Sequence, residues 1–432
     1  MLMKTNTNQL LTQLPMAFQH VFAMFGATVL VPFITGLNPS VALFTAGLGT
    51  LIFHLVTGGK VPVFLGSSFA FIAGIQAVNA NFGLAHATGS LIAVGVVYLL
   101  IAGAVVLIGI NNIRRLFPPI VTGPIIIVIG LILAPNAIEM AAEHWGIALI
   151  TIVAVLTTGI MGKGFLKIIP ILIGITTGYV ASVLFGIIDF DPIRDAAWLR
   201  FPEFMAPEFS MDALKIMIPI ALVTVIEHIG DITTNGAVVG KDFFKNPGLH
   251  KTLIGDGIAT IVGGALGGPP NTTYGENTGV LALTKNYNPA IIRIAAVLAI
   301  GFSFIGKLGA FIMTIPEPVM GGVSFVLFGM IASVGVRTLV DSGPDLSNLR
   351  NSSVVFIILI VGISYLQGEE NLATIQLTEY ASLEGLSLAA LLGISLNAVF
   401  EFILPKISAI ENIIPSNEGY NSTEKVAPNK SK

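Results

Sequence analysis

The sequence predicts an all-α polytopic membrane protein with about fourteen transmembrane segments in a 7+7 inverted repeat, its third and tenth segments short and broken. Three observations predict this fold class. The composition is too apolar for a soluble fold, span-length apolar runs recur from end to end, and the two halves echo each other.

Apolar residues make up 54% of the 432, charged residues only 10%, and mean hydropathy is +0.88. A soluble domain carries about 25% charged residues, so this chain lacks the polar groups to coat several soluble cores. The 47 glycines and 23 prolines suit the close-packed, interrupted helices of a transporter or channel better than plain straight spans. With no cysteine, disulfides, thiolate metal sites and cysteine nucleophiles are excluded. The first fourteen residues are polar, carry Lys4 as their charge, and lead into a run long enough to be a span. A cleavable signal peptide is therefore not expected.

The apolar runs fall at 15–36, 39–57, 61–79, 90–109, 119–134, 146–161, 168–188, 213–232, 252–268, 273–284, 290–306, 315–336, 352–366 and 386–405. The third contains VPVFLGSSFAFIAG, and the tenth follows GGALGGPPNTTYGENTG. Extended backbone in such stretches cannot face lipid with its amides unpaired, so both must be buried in protein or line a cavity. Charge then orients the set. Seventeen Lys and Arg, among them Lys60, Arg114, Arg115, Lys241, Lys245 and Arg350, fall on one side. Arg194, Arg200, Lys215 and Lys307 fall on the other. The bias predicts a multi-pass protein of the cell membrane with N- and C-termini cytoplasmic. The acidic connection 189–212 reads as exterior, and the polar tail 411–432 as disordered.

FPPIVTGPIIIVIGLILA at 117–134 aligns without gaps to IPEPVMGGVSFVLFGMIA at 315–332. Pro118 matches Pro316, Val121 Val319, Gly123 Gly321 and Ala134 Ala332. Halves of seven spans begin at spans 1 and 8, and an odd count inverts the second half. That pattern belongs to secondary transporters.

Most acidic residues lie in loops or tails, but Glu227 and Asp231 sit within IPIALVTVIEHIGDITTNG, four apart on one helix face. A carboxylate in lipid is costly, so that face looks into protein or a polar cavity. A substrate or proton site and a structural hydrogen-bonded pair both fit. His228 points elsewhere and reads as packing or support. Glu276 lies in NTTYGENTG, where Tyr274, Gly275 and Glu276 combine donors, an acceptor and a ring, as a flat polar heterocycle requires. A helix cap is the plainer reading of Glu276. In LGSSFAF, Phe69 is placed to stack on a ring or simply to pack, and Ser67 and Ser68 to satisfy free backbone groups. His20 is a polar residue within span 1, with a supporting role in view. Glu317 and Asp256 read as helix-start caps, and Gly321–Gly322 as a place of close helix contact. No HExxH and no Walker motif occur, so neither a metal centre nor direct use of ATP is expected, and nothing resembles a nucleic-acid surface.

FQHVFAMFGATVLVP at 18–32, VPVFLGSSFAF at 61–71, VIEHIGD at 225–231, GGPPNTTYGENTGV at 267–280 and IPEPVMGGVSFVLFG at 315–329 resemble the nucleobase–cation symporter 2 family, the nucleobase–ascorbate transporters. The resemblance spans essentially the whole chain and is greatest to bacterial members that carry uracil. It implies a core domain of spans 1–4 and 8–11 (1–110 and 211–310) and a gate domain of spans 5–7 and 12–14 (111–210 and 311–410). Segments 3 and 10 would each pair a short strand with a short helix. By the same resemblance Glu227 and Glu276 hold the polar edge of a pyrimidine, the backbone of Tyr274 and Gly275 meets its carbonyls, and Phe69 packs on the ring. Purine-selective members tend to have Gln where Glu276 stands. Uracil is thus the implied substrate, with membrane lipid around the protein and a homodimer through the gate domain as an assembly to consider. Proton coupling falls to Glu227, Asp231 and Glu276, with His20, His228 and Ser68 in support. No cofactor is implied; the coupling ion is H+, with Na+ as the other candidate. One residue departs from the pattern: Asp231 stands where the uracil-carrying members place a histidine. Rival classes are a xanthine or other nucleobase symporter, an anion exchanger of related fold, a channel and a membrane enzyme. The enzyme lacks a nucleophile–base or metal set in the spans.

Overall fold

The computed structural model describes residues 7–364, 366, 373–380 and 382–404; the tail expected to be disordered lies outside them. The first half runs α1 (Thr7–Thr35), α2 (Pro39–Val56), β1 (Leu65–Ser67), a 3-10 turn at Phe69–Phe71, α3 (Ile72–Phe82), α4 (Leu84–Ile108), α5 (Ile110–Leu116), α6 (Pro119–Ile132), α7 (Ala134–Ala142), α8 (Trp145–Met161) and α9 (Pro170–Leu184). After α10 (Asp191–Asp195), the second half runs α11 (Met211–Met217), α12 (Ile220–Val239), α13 (Leu249–Ala265), β2 (Asn271–Thr273), α14 (Gly275–Thr284), α15 (Pro289–Ser303), α16 (Gly306–Met313), α17 (Glu317–Ser342) and α18 (Leu349–Ser364). A hairpin of β3 (Thr374–Gln376) and β4 (Ser382–Glu384) precedes α19 (Gly385–Ala398). Among the described residues seven helical stretches are long and apolar enough to cross a membrane, and five shorter apolar helices lie between them. With α13 and α14 they fill the fourteen expected places.

Local chemistry accounts for the boundaries. Asn38 accepts from the amides of Ser40 (2.9 Å) and Val41 (3.3 Å) ahead of Pro39, and Asn288 accepts from Ala290 (3.0 Å) ahead of Pro289. An Asn cap followed by proline at the first helical position starts both helices. The third and tenth segments break at Pro62 and at Gly267–Gly268–Pro269–Pro270, where helix cannot propagate. The exposed backbone pairs instead: β1 and β2 run antiparallel in the register Leu65↔Thr273, Gly66↔Thr272 and Ser67↔Asn271, with all six residues buried. Each strand is braced by a threonine of its own half. Thr50 on α2 accepts from the amide of Leu65 (2.9 Å), and Thr260 on α13 donates to the carbonyl of Asn271 (3.1 Å).

Two packing groups surround this crossing. In one, α13 packs on α2 and α4, and α15 on α1 and α2; in the other, α17 packs on α6, α7, α8 and α9, and α18 on α6 and α19. Glycine permits the close approaches, as where Gly95 of α4 and Gly257 of α13 each face the other's carbonyl. The echoing strings meet directly, because α6 lies along α17 with Gly130 against the backbone of Phe328 and Ala332. Gly321 and Gly322 admit the backbone around Met140–Ala141 and Ala148. Val96, Leu100 and Leu107 on α4, and Leu149, Val153 and Ile160 on α8, stay exposed, as lipid-facing positions should.

Loops alternate between two faces. Lys60 bonds Asn246, Arg114 bonds Asp242 and Arg115 bonds Glu401 on one face. Glu208 bonds Ala85, Arg200 bonds Phe304 and Thr378 bonds Asp212 on the other. Several expectations need correction. The fourth span starts at Leu84, not near 90, because the weakly polar residues Thr88 and Ser90 are buried and bond carbonyls of their own helix. The twelfth extends to Ser342, six residues past the expected end. The connectors α5, α10 and α16 and the β3–β4 hairpin had no signal strong enough to separate them from loops or span ends.

Candidate functional site

The site grows from one stripe on α12. Glu227, Asp231 and Asn235 follow at four-residue steps and share a face. That face is laced to the second broken segment. Thr273 donates to Asp231 Oδ2 (2.8 Å), and Asn235 donates to Thr278 (3.1 Å) and to the carbonyl of Pro62 (3.2 Å). One helix therefore touches both breaks. Glu227 is half-buried, and its Oε2 has no hydrogen-bond partner among the described residues. Asp231 follows one turn along the same face, and Thr273, which bonds it, stands three residues before Glu276, so the bond ties the acidic face of α12 to the start of the helix that carries Glu276.

Glu276 sits in the first turn of α14, half-buried, beside exposed Gly275. The space off Gly275 and Gly279 is open, with nothing within 4 Å of where a Cβ would stand. The residue preceding α14, Tyr274, and the residue preceding the 3-10 turn, Ser68, make no side-chain cap. Both broken segments thus present helix-start amides at the strand crossing. Such amides carry partial positive charge and accept carbonyl or anionic oxygen. Ser68 Oγ is buried with no partner of its own.

The remaining expected residues divide between site and scaffold. The Tyr274 phenol turns back under β1 and donates to the carbonyl of Ser67 (2.9 Å), with the Thr28 hydroxyl 3.4 Å away. Only its backbone remains at the helix start, and its ring occupies the room that any side chain at Gly66 would need. Phe69 is 4% exposed and packs edge-on against Phe328 of α17, centroids 6.0 Å apart, so the second packing group reaches the crossing there. His20 meets Asn277 twice, through Nδ1 (3.0 Å) and its carbonyl (3.0 Å), tying α1 to α14. His228 faces away from Glu227. It bonds Thr252 (2.9 Å), and its Nδ1 lies 2.9 Å from Asp256 Oδ2, with the side chains of His228 and Asp256 fully buried.

Asp256 is a correction. It lies in the middle of α13, seven residues past the helix start, and so cannot cap it; its counterpart is His228. Glu317 does open α17, as expected of a cap position. Sequence reasoning missed Asn235, Thr273, Thr278 and Asn277. Asn235 was legible, being one more four-residue step along the acidic face; the threonines were not, because threonine is common in spans where it bonds only its own helix. A cavity of about 620 Å3 opens elsewhere, lined by Phe33, Leu37, Glu143, Asp189, Glu317 and neighbours, and none of the expected substrate or proton residues borders it. Among the described residues no cluster of His, Asp and Glu is suited to a metal ion.

Comparison with known proteins gives this geometry a context. A family model described as the permease family matches residues 11–371. The chain is 44% identical over 397 residues to a probable uracil permease of Haemophilus influenzae, covering 90% of this chain and 93% of that one. It is 42% identical over 420 residues to the uracil permease of Bacillus caldolyticus, covering 93% and 94%. The transmembrane domain of a cyanobacterial bicarbonate transporter, BicA, superposes with a TM-score of 0.58 at 15% identity, covering 78% of this chain and 97% of that one. At that identity the likeness speaks for the fold alone.

Proposed function

Since the chain belongs to this permease family, the nucleobase–ascorbate transporters, and is a multi-pass transporter and not an enzyme, we propose that it imports uracil by proton-coupled symport through alternating access. The packing group of α1–α4 and α11–α15 acts as the core domain. The group of α6–α9 and α17–α19 acts as the gate, through which two copies pair. Both termini lie in the cytoplasm of a cell whose membrane holds the protein.

The observation that carries this reading is the bond that ties the Glu227–Asp231 face to the segment of Glu276, at a helix start where Tyr274 supplies no side-chain cap. Uracil is a neutral ring with alternating N–H donors and carbonyl acceptors. Carboxylates accept from its N–H groups, while the backbone amides around Gly275 donate to its carbonyls. Phe69 supplies an apolar wall. The relatives' names and Glu276 together favour a pyrimidine over a purine. Proton coupling rests on the same carboxylates: a buried carboxylate is cheaper to move across a bilayer neutral than charged, so a proton taken up with uracil lets the loaded core cross. Asp231, held by Thr273, takes the place of the histidine of the uracil-carrying members and shares that proton with Glu227.

The test is tracer uptake into proteoliposomes, comparing uracil, xanthine, urate and bicarbonate under proton and sodium gradients. Saturable uracil uptake driven by an inward proton gradient, with xanthine a poor competitor, is expected. Equal competition by xanthine removes the pyrimidine assignment. Accumulation that survives a protonophore and follows sodium removes the proton.

A further inference from the structure

The seven-residue helix α5 joins the two packing groups across the face that carries Lys60 and Arg350, and its adjacent arginines hold opposite partners. Arg115 Nε donates to Glu401 (2.7 Å), and its guanidinium lies 5.1 Å from the Phe402 ring. The carbonyls of Arg115 and Leu116 both accept from Asn397 of α19 (2.9 and 3.1 Å), and Glu401 is also bound by Arg350. These contacts, with the direct continuation into α6, make α5 part of the second group. Toward the first group it reaches with Arg114. One guanidinium nitrogen meets both oxygens of Asp242 (2.9 and 3.0 Å), and the guanidinium lies 4.9 Å from the Phe244 ring. Asp242 and Phe244 belong to the loop between α12, the helix of the carboxylate stripe, and α13.

We propose that Arg114 and Asp242 form a latch between the two groups, closed in this conformation and opened each time they shift. This rests on the reading that transport moves the core against the gate. Three features suit a contact made and broken repeatedly. Gly109, just ahead of α5, has φ +86° and nothing near its side-chain position, so it serves as the pivot. Asp242 keeps other partners when Arg114 leaves, accepting from the Phe244 amide (3.1 Å) with Lys245 3.8 Å away. Both side chains are partly exposed, Arg114 at 44% and Asp242 at 39%, so opening the latch strands no buried charge. Among the described residues the counterpart connector, α16, has no such ion pair at its loop. There Lys307 bonds the carbonyls of Ile193 and Arg194 (2.6 and 2.9 Å). The breakable charge pair therefore sits on one face, where it biases the two conformations unequally.

The chain has no cysteine, so Asn79→Cys on the first group and Ala142→Cys on the second, both exposed, take a pair of spin labels cleanly. Distances between them are recorded in proteoliposomes without substrate, a readout that stands whether or not uracil is the cargo. Arg114→Ala and Asp242→Asn should each shift the ratio of the two distance populations by about fivefold away from the latched one. The swap Arg114→Asp with Asp242→Arg should restore it, while either reversal alone should not. Unchanged populations in well-folded Arg114→Ala and Asp242→Asn protein, judged by size exclusion, overturn the latch. So does a swap that rescues nothing while both single reversals shift the ratio.

Discussion

Replacing Asp256 by Ala tests the buried pair that braces α12 from behind. His228 and Asp256 have fully buried side chains and approach to 2.9 Å, yet both Asp256 oxygens lack a hydrogen-bond donor of acceptable geometry among the described residues. The distance says ion pair, whereas the angle says a poorly aligned one; the angle decides the magnitude. Breaking a well-formed buried ion pair costs about 3–5 kcal/mol. Leaving one buried imidazole nitrogen without its acceptor costs about 1–3 kcal/mol. Because Thr252 still bonds Nε2, the lower range is expected for Asp256→Ala, and Asp256→Asn should fall nearer to wild type because the amide keeps an acceptor oxygen. His228→Leu with Asp256→Leu should cost less than the sum of the two single changes, since neither leaves a partner behind. Chemical unfolding in detergent, followed by circular dichroism, returns these differences. Wild-type stability in Asp256→Ala, or strict additivity of the double change, refutes the pairing. A loss at the upper range shows instead that the two side chains are well aligned.

Five further outcomes follow from the same contacts. Glu276→Gln should weaken uracil binding by about ten- to a hundredfold, the loss of a charge-assisted bond; Asp231→Asn should keep most binding but lose part of the pH dependence of uptake, both read by equilibrium binding and tracer assays. Gly66→Ala should impair uptake because the new methyl meets the Tyr274 ring, which its bond to Ser67 prevents from yielding, at about 1–3 kcal/mol of overpacking; normal uptake and stability would show that the ring is free to move. The latch should be indifferent to pH from about 5 to 8. Slight burial acts upward on Asp242, but the hydrogen bond and charge of Arg114, the Phe244 amide and Lys245 outweigh it and hold the carboxyl below its ordinary 3.8. A depressed carboxyl loses its contribution only as pH falls through that lowered value, so an effect of Arg114→Ala on the distance populations that changes between pH 6 and 8 would contradict the assignment, whereas a pH response shared by wild type and variant belongs to the site carboxylates. Ala197→Cys and Ser342→Cys should react with an impermeant thiol reagent from opposite sides of the membrane, and labelling from one side would overturn the topology.

Much of this architecture was legible because a bilayer imposes simple rules. Span length and the echo of 117–134 with 315–332 follow from hydrocarbon thickness and from inverted duplication. The breaks at Pro62 and Pro269–Pro270 were legible for the same reason: a helix that stops inside a membrane must pair its backbone elsewhere, and β1 and β2 do so with each other. Glu227, Asp231 and Glu276 stood out because charge is rare in such a chain. Asp256 was misread because its partner, His228, lies 28 positions away on another helix, and proximity of that kind leaves no local pattern. The braces by Thr50, Thr260 and Thr273 were hidden likewise. Phe69 was readable as an aromatic near the break, but its contact with Phe328 depends on how the two groups pack. The connector α5 was lost because its polar INNIRRL reads as a loop, and α16 because its apolar residues merge with the adjoining spans; only tertiary contacts separate them.

The central claim is that Glu227 and Glu276 bind uracil and carry its proton, and it is tested most directly by recording both fluxes in one vesicle. Proteoliposomes with an entrapped pH dye receive labelled uracil, and lumenal acidification is followed beside tracer entry. Wild-type protein should show acidification that rises and saturates with tracer. Glu227→Gln should show neither flux, and Glu276→Gln should show both only at about ten- to a hundredfold higher uracil. Tracer entry in wild type without acidification, or wild-type fluxes in both glutamate variants, would contradict the account.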